Sequence, residues 1–334
     1  MSGQLKKILR FILFFLTGAG LLWLAFRGLD LKELMVQMKK ADFGWVAAGL
    51  VCAFLALFFR AYRWRMLMKP IDASPAVSNI LHAINVGYLA NFVFPRIGEI
   101  TRCGILNRTD GLPVDKAFGT VIVERLFDLL MVVLMLILIL LLKFRMVADF
   151  LADHVFIPFA GRMSSVSVLL WMVAVPVLSL IIGFLAFRIF RQQLTQIQAF
   201  RKIKGWLAGI ADGIKSVRKM KHFSLFVVLN IMVFGMYFLQ TYLLFFAFEA
   251  TSSLGAADAL FVLVVSTLAL IIPVQGGIGA FHGSVSLALT VFGMTRFDGM
   301  VYATMSHTTT SLLLIFLGAV SLIFVFVNHK PKKG

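Results

Sequence analysis

Charged side chains of both signs interrupt an otherwise apolar stretch, residues 91–128, which reads NFVFPRIGEITRCGILNRTDGLPVDKAFGTVIVERLFD. Glu124 and Asp128 are four residues apart, so in a helix they share one face, with Arg125 beside them. Inside a bilayer, such groups need a partner or a water-filled cavity. They therefore indicate either a binding site or a structural ion pair. Asn91, at the start of the stretch, could cap a helix or contact a substrate.

Three further charged residues, Arg96, Glu99 and Arg102, follow Pro95 within one short segment. If a helix begins at Gly98, its free N–H groups and positive dipole end face the same region as the two arginines. That arrangement is suited to phosphate, although a basic loop that fixes membrane orientation would show the same residues. The candidate substrate-binding residues of the stretch are Asn91, Arg96, Glu99, Arg102, Glu124, Arg125 and Asp128.

A second unusual stretch, QGGIGAFHG at residues 275–283, comes directly after Pro273. Its glycines permit the backbone angles that a break inside a membrane requires, but they would also allow close helix packing. Gln275 and His282 are candidate substrate contacts, and a histidine of this kind could equally make a packing hydrogen bond. The predicted structural breaks of the two stretches are Pro95, Gly98, Pro273, Gly276, Gly277 and Gly279.

The composition places the chain in a membrane. Its 334 residues are 60% hydrophobic and include 34 Phe, and the mean hydropathy is +0.95, whereas soluble proteins are about half apolar. The formal net charge of +17 comes from short basic clusters between apolar runs. This pattern favours cytoplasmic loops and anionic lipid over nucleic acid. The two cysteines form no metal-binding motif, so we predict no metal site and no cofactor.

Apolar runs near the roughly 20 residues needed to cross a bilayer predict an all-α polytopic protein. The predicted crossings are residues 8–26, 44–59, 117–142, 166–187, 223–248 and 308–327. Two further apolar pieces, residues 76–94 and 256–292, are interrupted by Gly, Pro or polar residues.

Charge then orients these spans. The basic segment 188–222 and the tail 329–334 are predicted to be cytoplasmic, as is the N-terminus. An apolar stripe in 188–222 favours a helix on the membrane surface, with a simple linker as the alternative. Basic residues after residue 59 and from 96 to 116 also predict cytoplasmic loops, so residues 76–94 should enter the membrane and return.

Residues 256–292 must likewise return to the outer side, by one dip or by two crossings. We therefore predict about six full crossings plus two broken or re-entrant elements, with an ordinary eight-helix protein as the alternative. The breaks share a pattern, FPRIGEI at 94–100 and IPVQGGI at 272–278. With opposite entry sides, this would fit an inverted repeat around a midplane site.

The motifs PRIGEITR, VERLFD and IPVQGGIGAF, in this order, resemble the lysylphosphatidylglycerol synthase transmembrane-region family, the flippase-like membrane part of the multiple peptide resistance factor. The resemblance implies a multi-pass protein of the bacterial inner membrane, with both termini cytoplasmic, that moves a lipid between leaflets. By position, the matching residues are Pro95, Gly98, Glu99, Arg102, Glu124, Arg125, Asp128, Pro273, Gly276, Gly277 and Gly279.

Two departures from the family shape the expected function. We expect no soluble aminoacyl-transferase domain, so lysyl transfer by this chain is not predicted. His282 stands where the family often has an acidic residue, which argues against a cationic aminoacyl-lipid. Residues 1–334 are thus predicted to form one flippase-like transmembrane domain, not an enzyme, that binds anionic or phosphate-bearing lipids and no nucleic acid. The alternatives are a lipid-modifying transferase, or a partner of a separate synthase, with homo-oligomers open.

Overall fold

The computed structural model describes residues 16–71, 73–151 and 222–328. These ranges are built from α-helices joined by short turns. The helices are α1 (Leu16–Phe26, as far as it is described), α2 (Leu31–Lys39), α3 (Phe43–Met68), α4 (Val77–Val93), α5 (Gly98–Asp110), α6 (Val114–Leu151), α7 (Phe223–Phe245), α8 (Ala256–Ala269), α9 (Ala280–Thr290) and α10 (Arg296–Asn328).

Among the described residues, four helices, α3, α6, α7 and α10, are long and apolar enough to cross a membrane. Large apolar side chains point outward from them, including Val51, Leu129 and Phe316, which are 58%, 58% and 65% exposed. Exposed apolar faces of this extent fit contact with lipid rather than water. The prediction of an all-α polytopic membrane protein is confirmed.

The chain divides into two compact units. The first comprises Met1–Leu136 and His222–Gly334, and it contains every residue of the site discussed below. The second, Ile137–Lys221, is described only over residues 137–151, which are helical apart from the backbone at Lys143 (φ −138°, ψ 44°). The predicted crossing 166–187, the basic segment 188–222 and the tail 329–334 lie outside the described residues. The predicted single domain stays a prediction.

Helices α3 and α7 pack against each other in antiparallel orientation. The Asp42 carboxylate caps the start of α3 by accepting the Gly44 N–H at 2.8 Å. Near this end, Gly49 approaches Gln240 of α7. The predicted end of this span at residue 59 is wrong, because α3 continues to Met68. Arg60 and Arg63, which were assigned to a cytoplasmic loop, are therefore part of the helix and are buried.

Helices α4 and α5 form a hairpin, hereafter the first hairpin. Its two free ends meet, since Asn79 Nδ2 donates to Asp110 Oδ1 at 3.1 Å. The backbone turns at residues 94–97, the first reversal, where Phe94 has the extended angles (φ −131°, ψ 126°) favoured before Pro95. The predicted return within residues 76–94 is therefore wrong. Residues 77–93 form one continuous helix, and α5 is the returning arm.

Helices α8 and α9 form the second hairpin, and the ring centroids of Phe261 and Phe292 lie 5.8 Å apart near its open end. The second reversal covers residues 270–279. There Gly276, Gly277 and Gly279 have φ of 58°, 76° and 83°, angles that side chains rarely adopt. Each arm is shorter than the roughly 20 residues of a full crossing.

The two reversals contact each other. Arg96 Nη2 donates to the Ile271 carbonyl at 2.5 Å, and the Phe92 ring lies against Gly276 so closely that a Cβ there would be 2.6 Å from the ring. The repeated pattern is only partly equivalent, because Gly98 opens α5 whereas Gly276 lies in a turn before α9.

Helix α10 packs against both hairpins. It touches the first through the Asn85 Nδ2 hydrogen bond to Ser321 Oγ at 3.1 Å. It touches the second at Gly299, where a Cβ would lie 2.8 Å from the Ser286 carbonyl oxygen. It begins at Arg296, twelve residues before the predicted start at residue 308, because its first turns pack on protein and can carry polar groups.

Candidate functional site

Seven charged residues from α3, α5 and α6 form one charged cluster: Arg60, Arg63, Glu99, Arg102, Glu124, Arg125 and Asp128. At its centre, the Glu124 side chain is fully buried. Its Oε1 lies 2.8 Å from Arg60 Nε and 2.9 Å from Arg63 Nη2, and its Oε2 lies 2.8 Å from Arg102 Nη1. A buried carboxylate is tolerated here because three guanidinium groups neutralise it.

Asp128, one turn further along α6, contacts the same arginines. Its Oδ1 is 2.7 Å from Arg63 Nη2, and its Oδ2 is 3.1 Å from Arg60 Nη2 and 3.3 Å from Arg125 Nη1. The four-residue spacing thus places Glu124 and Asp128 on one face of α6, as the sequence predicts. An arginine pair three residues apart on α3 matches this carboxylate pair.

Neutral side chains hold the α3 arginines in place. Arg60 Nη1 donates to Tyr88 OH at 2.7 Å, which ties α3 to α4. Arg63 Nη1 donates to Asn230 Oδ1 at 2.7 Å, which ties α3 to α7, and Asn230 Nδ2 donates to the Phe226 carbonyl at 2.8 Å. The cluster therefore joins α3, α4, α6 and α7 to α5. The contacts with Tyr88 and Asn230 give the guanidinium groups of Arg60 and Arg63 a fixed orientation.

Arg102 of α5 is bound differently. Only its Nη1 reaches Glu124, and its guanidinium carbon lies 4.3 Å from the centroid of the Trp64 ring. The indole is itself fixed, because Trp64 Nε1 donates to Thr120 Oγ1 at 2.8 Å. Although Arg102 is only 4% exposed, its Nε and Nη2 have no hydrogen-bond partner among the described residues. These two atoms form the edge of a guanidinium that binds an oxyanion through two parallel bonds.

The charged cluster carries an excess of positive charge. Its four arginines face three carboxylates, which leaves a formal charge of +1. Glu99 contributes least to this pairing, since its Oε1 is 4.0 Å from Arg125 Nε. Within the described ranges, no group of three His, Cys, Asp or Glu side chains is placed to hold a metal ion. The excess of positive charge suits the cluster to the recognition of an anion.

Five of the predicted site residues meet in the cluster: Glu99, Arg102, Glu124, Arg125 and Asp128. Arg96 lies apart from it, with its guanidinium on the Ile271 carbonyl at the second reversal. Asn91 acts as a helix cap, since its Oδ1 accepts the Gly98 N–H at 2.7 Å. Helix α5 does begin at Gly98, but this cap already uses its first N–H group.

Gln275 and His282 belong to the second hairpin, and both are buried. His282 Nδ1 lies 3.4 Å from the Gly279 nitrogen, and its ring centroid is 4.8 Å from that of His307. His307 Nε2 in turn lies 2.8 Å from the Gly276 carbonyl oxygen. These contacts hold the second reversal together, and neither residue takes part in the charged cluster.

Several residues of the site escaped the sequence analysis. Arg60 and Arg63 were interpreted as a cytoplasmic orientation signal, yet they are 5% and 0% exposed. Tyr88 and Trp64 gave no sequence signal. Asn230, a polar residue in a predicted span, was interpreted as an interhelical hydrogen bonder, and its bond with Arg63 confirms that interpretation. The available signal was two arginines three residues apart in an apolar run, matched by two carboxylates four residues apart in another.

Comparisons with known proteins agree with the motifs. The family described as lysylphosphatidylglycerol synthase TM region matches residues 8–318. Glycosyltransferase AglD of Haloferax volcanii is 28% identical over 103 residues, which cover 30% of this chain and 16% of that protein. The match thus spans well under two thirds of this relative, and no solved structure matches. The family match covers almost the whole chain and confirms the resemblance that the motifs indicate, so the chain belongs to the lysylphosphatidylglycerol synthase transmembrane-region family.

Proposed function

We propose that this protein is a lipid flippase or flippase-like transporter of the bacterial inner membrane, which moves a phospholipid or a lipid-linked headgroup between leaflets. The observation that carries the proposal is the charged cluster, whose Arg60, Arg63, Glu124, Arg125 and Asp128 lie on α3 and α6, two helices long and apolar enough to cross a membrane. Burying so many ionised groups in a membrane costs several kcal/mol even when they are paired. A polar headgroup that must cross apolar surroundings supplies a reason to keep them there.

The two hairpins supply the path in this proposal. In this proposal each hairpin enters the membrane and returns, because its arms are shorter than the roughly 20 residues of a typical crossing. The first hairpin opens to the cytoplasm and the second to the outside, with both termini cytoplasmic. Their reversals meet within the bilayer, where Arg96 touches Ile271. The headgroup passes along the charged cluster beside the reversals, and the acyl chains stay in lipid.

Other classes of function make different chemical demands. A membrane-embedded transferase needs a nucleophile or base facing a substrate, whereas Glu124 and Asp128 are held by arginines. The similarity to a glycosyltransferase covers only 16% of that relative. A non-catalytic partner of a separate synthase would show activity only in a complex.

The test is translocation of a fluorescent phospholipid in proteoliposomes, read by bleaching the outer leaflet with dithionite. We expect translocation by the protein and a loss of at least about tenfold in Arg102→Gln, because a hydrogen bond to a charged group is worth at least about 1.5 kcal/mol. Asn79→Ala is the control, since it removes a hydrogen bond at the open end of the same hairpin.

The result has clear alternatives. Rates no higher than those of empty liposomes would contradict the proposal. A chemically altered lipid would indicate a transferase instead, and activity only after adding a separate synthase would indicate a partner protein. Gel filtration of Arg102→Gln shows whether the variant is folded.

A further inference from the structure

The edge of Arg102 formed by Nε and Nη2 is the strongest unexplained feature of the charged cluster. Both atoms are buried and lack a hydrogen-bond partner among the described residues, although the residue is only 4% exposed. Buried guanidinium donors are normally satisfied, because an unpaired one loses its hydration without compensation. The edge is also pre-oriented, since Glu124 holds Nη1 at 2.8 Å and Trp64 covers one face.

Charge indicates what this edge binds. Every oxygen of Glu124 and Asp128 already lies within 3.3 Å of an arginine nitrogen. The cluster nevertheless keeps a formal charge of +1, with four arginines against three carboxylates. One phosphodiester would bring that charge to zero, whereas a headgroup with a net positive charge would raise it.

Glu99 adds a second contact for the same ligand. It lies three residues before Arg102, and so on the same face of α5. Its Oε2 is buried and accepts no hydrogen bond among the described residues. A hydroxyl group a few ångströms from the phosphate would satisfy it without adding charge, as in a glycerol or sugar headgroup.

We infer that the site takes a lipid whose anionic phosphate binds the Nε–Nη2 edge of Arg102 while a headgroup hydroxyl donates to Glu99, and that it rejects aminoacylated, cationic lipids. The inference rests on the proposed function and specifies its substrate class. Protein encloses both atoms of the edge in this conformation. A headgroup therefore reaches Arg102 only when the first hairpin moves relative to α3 and α6.

The experiment is native mass spectrometry of the full chain, stripped of lipid in a neutral detergent and titrated with short-chain lipids. The three lipids are phosphatidylglycerol, lysyl-phosphatidylglycerol and phosphatidylcholine. We expect phosphatidylglycerol to bind at least about tenfold more tightly than either other lipid, the ratio given by one charge-assisted contact. Equal binding of all three, or tighter binding of the lysyl lipid, would overturn the inference without any variant.

Arg102→Lys separates geometry from charge, because lysine keeps the charge but offers no two-pronged edge. It should lose at least about tenfold in affinity for phosphatidylglycerol. Arg108→Gln is the matched control, since Arg108 is also on α5 and its guanidinium carbon lies 4.1 Å from the Phe326 ring centroid. Unchanged affinity in Arg102→Lys, or an equal loss in Arg108→Gln, would contradict the assignment to Arg102.

Inorganic phosphate is the second ligand in the experiment, because its oxygens offer the same chemistry as the lipid phosphate without acyl chains. We expect it to compete only at concentrations far above those of the lipid, and binding as tight as that of the lipid would overturn the lipid assignment. Selective binding without translocation would leave this inference standing and remove the proposed transport. Translocation without headgroup selection would support the proposed transport and overturn this inference.

Discussion

Glu124 has the largest number of ionic contacts in the described cluster, because four guanidinium groups lie within 3.9 Å of its two oxygens, against three for Asp128. Asp128 shares Arg60 and Arg63 with it, but the Asp128 side chain is 17% exposed. A partly exposed carboxylate loses less when its charge is removed, since water can rearrange around the arginines left behind. Removal of the charge should therefore cost more stability at Glu124 than at Asp128, although both residues lie on one helical face.

Glu124→Gln should destabilise the protein by about 3–5 kcal/mol, because it leaves buried guanidinium groups without their shared counter-charge. Asp128→Asn should destabilise the protein clearly less than Glu124→Gln does. Thermal unfolding in detergent, followed by light scattering or by accessibility of the buried cysteines, measures both effects. Glu33→Gln is the control, because the Glu33 side chain is exposed on α2 and accepts a hydrogen bond from Gln37 Nε2 at 2.7 Å. A larger loss in Asp128→Asn than in Glu124→Gln would contradict this ranking.

At the scale of the elements, the first hairpin depends on a close approach of its two arms. A Cβ at Gly98 would lie 2.2 Å from the Gly87 carbonyl oxygen and 2.7 Å from Asn91 Nδ2. No side chain fits there unless the arms separate. Gly104, six residues further along α5, has nothing within 4 Å of such a Cβ.

Gly98→Ala should therefore destabilise the protein by about 1–3 kcal/mol, or more if the arms cannot adjust, because overpacking forces the backbone apart. Gly104→Ala should have no such effect, and alanine is the better helix former. Melting temperatures of both variants in the same detergent test this. Equal stability of the two would show that the arms are loosely packed.

We expect the contact between the two reversals to hold the first hairpin closed. Arg96 has φ of 62°, unusual for a residue with a side chain, and its guanidinium holds the Ile271 carbonyl. Arg96→Ala should raise the frequency with which the first hairpin opens, by about tenfold for a charge-assisted hydrogen bond of about 1.5 kcal/mol.

Cys103 on α5, which is fully buried, reports this opening. In a Cys52→Ala background, N-ethylmaleimide should modify Cys103 faster in the Arg96→Ala variant than in the parent. Arg27→Ala is the control, since it removes an arginine whose guanidinium carbon lies 5.1 Å from the Trp23 ring centroid and leaves the Arg96 contact in place. An unchanged rate of Cys103 modification would show that Arg96 does not hold the first hairpin closed.

At the scale of the whole molecule, the proposed membrane orientation makes a prediction about the two hairpins. The first should open to the cytoplasm and the second to the outside. With Cys52 and Cys103 replaced by alanine, a cysteine at Lys116 or Ser253 can be labelled by a membrane-impermeant maleimide. Both positions are exposed.

Ser253→Cys, shortly before α8, should react in intact cells. Lys116→Cys, just after the first hairpin, should react only after permeabilisation. Reaction of both from the same side would contradict the opposite entry of the hairpins, and with it the inverted repeat.

The amino-acid sequence by itself determined the helical membrane class, the approximate place of both chain breaks and the shared face of Glu124 and Asp128. These properties are local, because hydropathy, helical spacing and the backbone limits of Pro and Gly act within a few residues. The family motifs also lie in short contiguous segments, so they could be recognised without the fold.

Only the tertiary structure decided which charges are partners. Arg60 binds Glu124 and Asp128 across 64 and 68 residues of sequence, and a hydropathy argument treats each such arginine as a loop signal. The fold likewise separated Arg96 from Arg102, although they are six residues apart, because the first reversal sends one to Ile271 and the other to Glu124. Whether a buried charge is neutralised depends on long-range packing, and local sequence spacing does not encode that packing.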